Sequence, residues 1–138
     1  MFLGLFSLIP LLYILTNKRP QQAFVLGLTA GTAFYLVLLY WIPSVPAYYG
    51  GLSLSFSLLI YILFAVFLAL FWAFSCVFFS LIEHKFPFGV FFIIPFIWVT
   101  FEYAITHILT GFPWGLLAYC QYKNIYLIQA AAITGVYG

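Results

Sequence analysis

The chain has 138 residues, 67% of them hydrophobic and only 4% charged, with a net charge of +2. A soluble domain carries about 25% charged residues, so these few charges cannot clothe a water-facing surface and the bilayer must be the solvent. The four basic residues are scattered, which excludes a phosphate-tracking stripe and with it nucleic acid as a partner.

The apolar runs follow one another along the chain. Residues 1–16 form the first. No basic residue precedes it and no small-x-small cleavage site follows it, so it does not read as a cleaved signal peptide. A span needs roughly 20 apolar residues, so this run reads as a short or truncated span, ending at Asn17-Lys18-Arg19-Pro20. Residues 22–42 form the second, closing at Trp41 and Pro43. Residues 52–82 form the third, long enough to require tilt or a helical extension beyond the lipid. Glu83-His84-Lys85-Phe86-Pro87 is expected to interrupt it. Residues 88–109 form the fourth. A connection over 110–123 follows, and a fifth run starts near Asn124 and is cut off at Gly138. The runs are continuous rather than alternating, which predicts helices and not a barrel. The expected fold is all-α: a polytopic transmembrane bundle of about five spans, the first and last truncated. It forms one domain over 1–138, with no soluble domain.

Basic residues predict the orientation. Lys18, Arg19 and Lys85 fall in alternate connections on one side, and Lys123 alone falls on the other. The first and third connections are therefore expected in the cytoplasm. The 43–51 loop and the Gly111-Phe112-Pro113-Trp114 turn are expected outside. Trp41, Tyr48, Tyr49, Trp114, Tyr119, Tyr122 and Tyr126 then gather at the outer interface.

Small residues predict the packing. Ala23, Gly27 and Gly31 are spaced four apart on the second run. Ala65, Ala69 and Ala73 are spaced likewise on the third, and Ala131 and Gly135 on the fifth. Each set makes a groove that a neighbouring backbone can enter, within one bundle or between two copies.

Few side chains here can carry chemistry. Cys76 lies deep in an apolar run, and Cys120 has no acid or histidine to complete a relay. No Cys-x-x-Cys spacing exists and His84 and His107 stand alone, so neither a metal nor a cofactor is expected. The chain contains no Asp, so a Ser-His-Asp triad is excluded. Glu102 is the most costly residue, about 10 Å below the outer interface at 1.5 Å per residue. A carboxylate there must be protonated, paired or water-lined. Trp98 precedes it by one turn, Thr106 follows by one turn and Lys123 can reach down from the outer loop. Two readings stay open: a polar path for a lipid headgroup or proton, or a helix-to-loop hydrogen bond that holds the Gly111–Trp114 turn. In that turn Gly111 can end the helix with a positive φ and Pro113 forbids its continuation. Phe112 and Trp114 then dip into the headgroup layer, as an interfacial anchor or as a lipid-contacting lip.

The ordered set of motifs carries a resemblance. Trp98-Val99-Thr100-Phe101-Glu102-Tyr103, Thr110-Gly111-Phe112-Pro113-Trp114, Tyr119-Cys120-Gln121, and Ile128-Gln129 through Gly135-Val136-Tyr137-Gly138 resemble the membrane part of apolipoprotein N-acyltransferase. Pro10, Arg19-Pro20, Ala23-Phe24, Tyr40-Trp41-Ile42 and Tyr49-Gly50-Gly51 extend the likeness to nearly the whole chain. The resemblance implies an integral protein of the bacterial inner membrane. Such a protein moves an acyl chain from a phospholipid to the amino group of a lipoprotein's diacylglyceryl-cysteine. It implies ping-pong chemistry through a cysteine thioester in a periplasmic nitrilase-like domain, with phospholipid and apolipoprotein as partners. That domain is expected beyond Gly138. Glu83, Glu102, Lys85, Lys123, Cys76 and Cys120 do not match its catalytic motifs, so no catalytic residue is expected in this chain, which reads as a fragment inactive by itself. Met1 then corresponds to the family's second span. Glu102, Thr106, Gly111, Phe112, Pro113, Trp114, Tyr119, Gln121 and Gln129 are the candidates for a lipid entrance or a structural motif. A stand-alone membrane scaffold, and more remotely a small transporter, are the competing readings.

Overall fold

The computed structural model describes residues 6–86, 89–108, 111–125, 129, 131, 133, 135 and 137. These form helices and turns, with no strand among them. The elements are α1 (Ile9–Leu15), α2 (Pro20–Leu38), α3 (Ser44–Tyr48), α4 (Leu54–Lys85) and α5 (Val90–His107). A short 3-10 helix, Leu117–Gln121, follows. Ile125, Gln129, Ala131 and Ile133 have helical backbone, and most of the fifth run lies outside the described residues.

Among the described residues two helices, α2 and α4, are long and apolar enough to cross a membrane. The apolar stretch of α5, Phe92–His107, is shorter. Two such helices fall short of the expected five spans, although the fold is all-helical. Large apolar side chains cover the exterior. Val37, Leu63, Phe92 and Phe96 are 76%, 61%, 81% and 73% exposed. Such a surface suits hydrocarbon and not water.

The centre of the bundle is the antiparallel pair α2 and α4. Ala23, Gly27 and Gly31 are buried on one helix, and Ala65, Ala69 and Ala73 are fully buried on the other. The two stripes face each other. A Cβ at Gly27 would sit 2.8 Å from the Cα of Ala73, and one at Gly31 would sit 3.1 Å from the Cα of Ala69. The small residues therefore set how closely the backbones approach. The expected groove at Ala131 and Gly135 falls on a segment that lies mostly outside the described residues. Gly135 lies outside the helix with φ +74°, and a Cβ there would meet no described atom within 4 Å.

Buried hydroxyls in this core are satisfied. Ser57 donates to the Ser53 carbonyl at 3.1 Å, Ser75 to the Trp72 carbonyl at 2.8 Å, and the Tyr61 hydroxyl to the Leu36 carbonyl. In a medium that offers no water these bonds remove a large penalty.

One boundary differs from the sequence expectation. Glu83-His84-Lys85 does not interrupt the third run, because α4 continues through all three residues to Lys85. Charge alone does not break a helix. His84 and Lys85 lie in its last turn, where cations suit the negative end of the helix dipole. The cap falls at Phe86, the residue before Pro87, where proline disfavours helical backbone.

The two ends of the bundle are chemically distinct. Trp41, just past α2, contacts Trp114 with ring centroids 5.3 Å apart. At the other end the turn before α2 is tied to the end of α4. Asn17, at φ +61°, gives its N–H to the Glu83 carboxylate at 3.1 Å. Ser80 donates to the Lys18 carbonyl at 2.6 Å.

Candidate functional site

The site is built on α5. Trp98 and Glu102 are one turn apart and so share a face. The indole N–H of Trp98 donates to Glu102 Oε1 at 3.0 Å. The backbone N–H of Leu117 donates to the same oxygen at 2.7 Å. Leu117 is the first residue of the 3-10 helix, whose initial N–H groups lack partners within the helix. Glu102 therefore caps that helix from across the turn, 15 residues away in sequence. Of the two readings of this acid, the geometry shows the helix-to-loop bond.

Aromatic rings enclose the pair. Trp98 meets Trp72 edge-on at 5.0 Å, and Trp72 stacks on Phe34 at 4.9 Å. A cavity of about 20 Å³ remains between Tyr35, Trp72, Ser75, Trp98, Glu102 and Gly115, room for about one water by size. Because the surroundings are rings and not charges, each hydrogen bond to Glu102 acts in a low local dielectric and is stronger for it.

The turn between Glu102 and Leu117 is closed locally. Gly111 donates to the Ile108 carbonyl at 3.0 Å and Phe112 to the Ile105 carbonyl at 2.9 Å. Gly111 has φ +72°, and a Cβ there would strike the Thr106 carbonyl oxygen, so glycine is required. Phe112 then packs edge-on against Phe64 at 5.1 Å and stacks near Trp114 at 6.1 Å. Trp114 continues to Trp41, and Pro113 is exposed between them. The turn thus stitches α5 to both central helices. Leu116, 4% exposed, joins Tyr35, Leu39 and Ile105 in the core.

Thr106 and Lys123, the other expected partners of Glu102, have contacts elsewhere. Thr106 donates to the Tyr103 carbonyl at 2.9 Å and lies 2.5 Å from the Tyr137 hydroxyl. His107 stacks on Tyr103 at 3.9 Å. Lys123 lies 5.5 Å over the Tyr122 ring, a cation–π contact rather than a partner for the acid. Tyr119 is 47% exposed and Gln129 is exposed. Gln121 ends the 3-10 helix. The hydrogen bonds to Glu102 described here join it to Trp98 and to the turn.

Three participants escape sequence reasoning. Leu117 acts through a backbone N–H, which no side chain advertises. Tyr35 and Trp72 come from α2 and α4 and read as ordinary aromatics. Gly115 leaves a legible signal, as a glycine directly after the Gly-Phe-Pro-Trp run. It has φ +80°, and a Cβ there would lie 2.5 Å from Leu38 Cδ2 and 3.3 Å from Phe34 Cε1.

The sequence pattern that defines the apolipoprotein N-acyltransferase N-terminal domain matches residues 1–138. The chain belongs to that family. Curated relatives named apolipoprotein N-acyltransferase agree. One from Geobacter metallireducens is 40% identical over 131 residues, 94% of this chain and 25% of that relative. One from Coxiella burnetii is 32% identical over 93% of this chain and 27% of its own length. One from Rickettsia prowazekii is 30% identical over 98% of this chain and 27% of its own length. The chain therefore spans about a quarter of the length of the curated relatives it matches. No solved structure matches it.

Proposed function

We propose that this chain is the membrane-embedded part of an acyltransferase that moves a fatty acyl chain from a phospholipid to the terminal amine of an apolipoprotein. In this role it anchors a periplasmic catalytic domain in the bacterial inner membrane and shapes lipid access to it. The observation that carries the reading is the Glu102 clasp. It fixes the aromatic turn at one end of the bundle, as a mount for a catalytic domain requires. Lys18 and Arg19 before α2 and Lys85 in the last turn of α4 lie at the opposite end, which favours that end as cytoplasmic and the Gly111–Trp114 end as periplasmic. Phe112 and Trp114 then stand at headgroup level, where aromatic rings anchor well.

The residues of this chain bind and orient; they do not react. Glu102 is committed to two donors and Cys76 is buried. Cys120 is exposed, and Lys123, the basic side chain nearest to it in sequence, lies over the Tyr122 ring with no acid or histidine to complete a relay to the thiol. The scaffold alternative loses its surface, because the α2 and α4 stripes are spent on each other.

The test is acyl transfer by the purified 138-residue chain, with phospholipid and a diacylglyceryl lipopeptide. No N-acylated lipopeptide is expected. Product formation by this chain would overturn the assignment of the reacting groups to other parts of the enzyme. Recovery of the chain as a water-soluble monomer without detergent would overturn the membrane reading itself.

A further inference from the structure

An open groove of about 460 Å³ runs along the start of α2, lined by Lys18, Gln21, Gln22, Val25 and Leu26. It lies at the end of the bundle away from the Glu102 clasp. We propose that this groove binds one anionic diacyl phospholipid, with its phosphate at Lys18, Gln21 and Gln22 and an acyl chain along Val25 and Leu26. The proposal rests on the membrane reading above but not on any acyl-transfer role.

Charge favours this occupant. Lys18 lines the groove, Arg19 caps α2 beside it and Lys85 ends α4 at the same end of the bundle, and of the chain's two acids only Glu83 is there. That carboxylate is already occupied by the Asn17 N–H at 3.1 Å. The local balance is positive, which suits an anion and disfavours a cationic or neutral ligand. Order favours it as well. The Lys18 N–H donates to the Leu15 carbonyl at 3.0 Å, and the Lys18 carbonyl accepts from Ser80 at 2.6 Å. The backbone of Lys18 is thus fixed on both sides, so little ordering cost remains when a phosphate arrives. Gln22 Oε1 accepts from the Arg19 N–H at 3.2 Å, which leaves the Gln22 amide nitrogen for a phosphate oxygen.

The polar-to-apolar sequence of the lining selects a lipid over a free phosphate. Lys18, Gln21 and Gln22 occupy the last polar turn, and Val25, 57% exposed, begins the apolar stretch one turn later. This is the gradient a phospholipid presents between headgroup and chain. The opposite end of the bundle offers only Lys123, set over a tyrosine ring.

The experiment is native mass spectrometry of the detergent-solubilised chain titrated with phosphatidylglycerol, phosphatidylcholine or glycerol phosphate. Phosphatidylglycerol is expected to be retained over phosphatidylcholine by about fivefold or more, the effect of one basic residue at an anionic surface. Lys18→Gln should remove most of that preference, Lys18→Arg should keep it, and Lys123→Gln should leave it unchanged. Equal loss in Lys18→Gln and Lys123→Gln would overturn the site, since net charge alone would explain the binding. Displacement of the lipid by equimolar glycerol phosphate would overturn the acyl-chain half of it. Gln22→Ala, which removes no charge, gives a second reading should Lys18→Gln fail to fold: it should weaken retention of both lipids, which share the phosphate, and unchanged retention in that variant would count against the groove. A chain that stays helical and detergent-dependent yet shows no preference sinks the groove alone. A chain that stays in solution without detergent sinks the membrane reading.

Discussion

The chain has two acids, one at each end of the bundle, and both accept a backbone N–H from a neighbouring loop. Glu102 takes the Leu117 N–H at 2.7 Å and the Trp98 indole on the same oxygen. Glu83 shares the Asn17 N–H between its two oxygens at 3.1 and 3.3 Å. Their surroundings differ. Glu102 stands among Trp72, Trp98 and Tyr35, and Glu83 stands beside His84, Lys85 and the Lys18 turn. A carboxylate that closes a loop is one device; whether it holds tightly depends on what shields it from water.

Substitutions can break or sharpen this contrast. The largest effect is expected from Gly27→Leu, which strikes neither end directly. Its side chain would collide with the Ala73 backbone and Cys76, costing about 3 kcal/mol at the upper end of overpacking. Thermal unfolding in detergent should show both ends loosening together. Glu102→Ala comes next, leaving the Leu117 and Trp98 donors unpaired at about 2 kcal/mol. Hydrogen exchange should accelerate at the Leu117 amide while the Asn17 amide keeps its protection. Glu102→Gln retains an acceptor and should cost about 1 kcal/mol or less. A full loss in the glutamine variant would show that the charge itself is needed. Gly115→Ala forces a side chain at φ +80° against Leu38, costing about 1 kcal/mol or somewhat more. It should quench or shift tryptophan emission as Trp114 leaves Trp41. The smallest effect belongs to Glu83→Ala, about 0.5 kcal/mol, since water can replace the acceptor at an exposed loop. Amide exchange at Asn17 should report it. Equal losses from the two alanine variants would erase the proposed role of the aromatic shield.

Side-chain pattern shows part of this in the sequence. The four-residue spacing of Ala23, Gly27 and Gly31 and of Ala65, Ala69 and Ala73 is legible because helical geometry turns that period into a face. Glu102 is legible because a carboxylate among apolar residues demands a partner. The identity of that partner is not, since every non-proline residue carries the same N–H and only the folded turn selects Leu117. Ser80 and Glu83 were hidden for a related reason. They bind the backbone of Lys18 and Asn17 from more than 60 residues away, and the charged triplet containing Glu83 looks like an interruption although helical backbone passes through it.

The unequal lengths of the two central helices bear on the surrounding lipid. With 19 residues α2 is about 28 Å long, and with 32 residues α4 is about 48 Å. A hydrocarbon layer of about 30 Å matches the first and falls well short of the second. Because the stripes lock these helices face to face, neither can adjust its tilt alone. The surplus length of α4 is then either carried beyond the hydrocarbon, where its last turn holds Glu83, His84 and Lys85, or matched by local thickening of the bilayer along that flank.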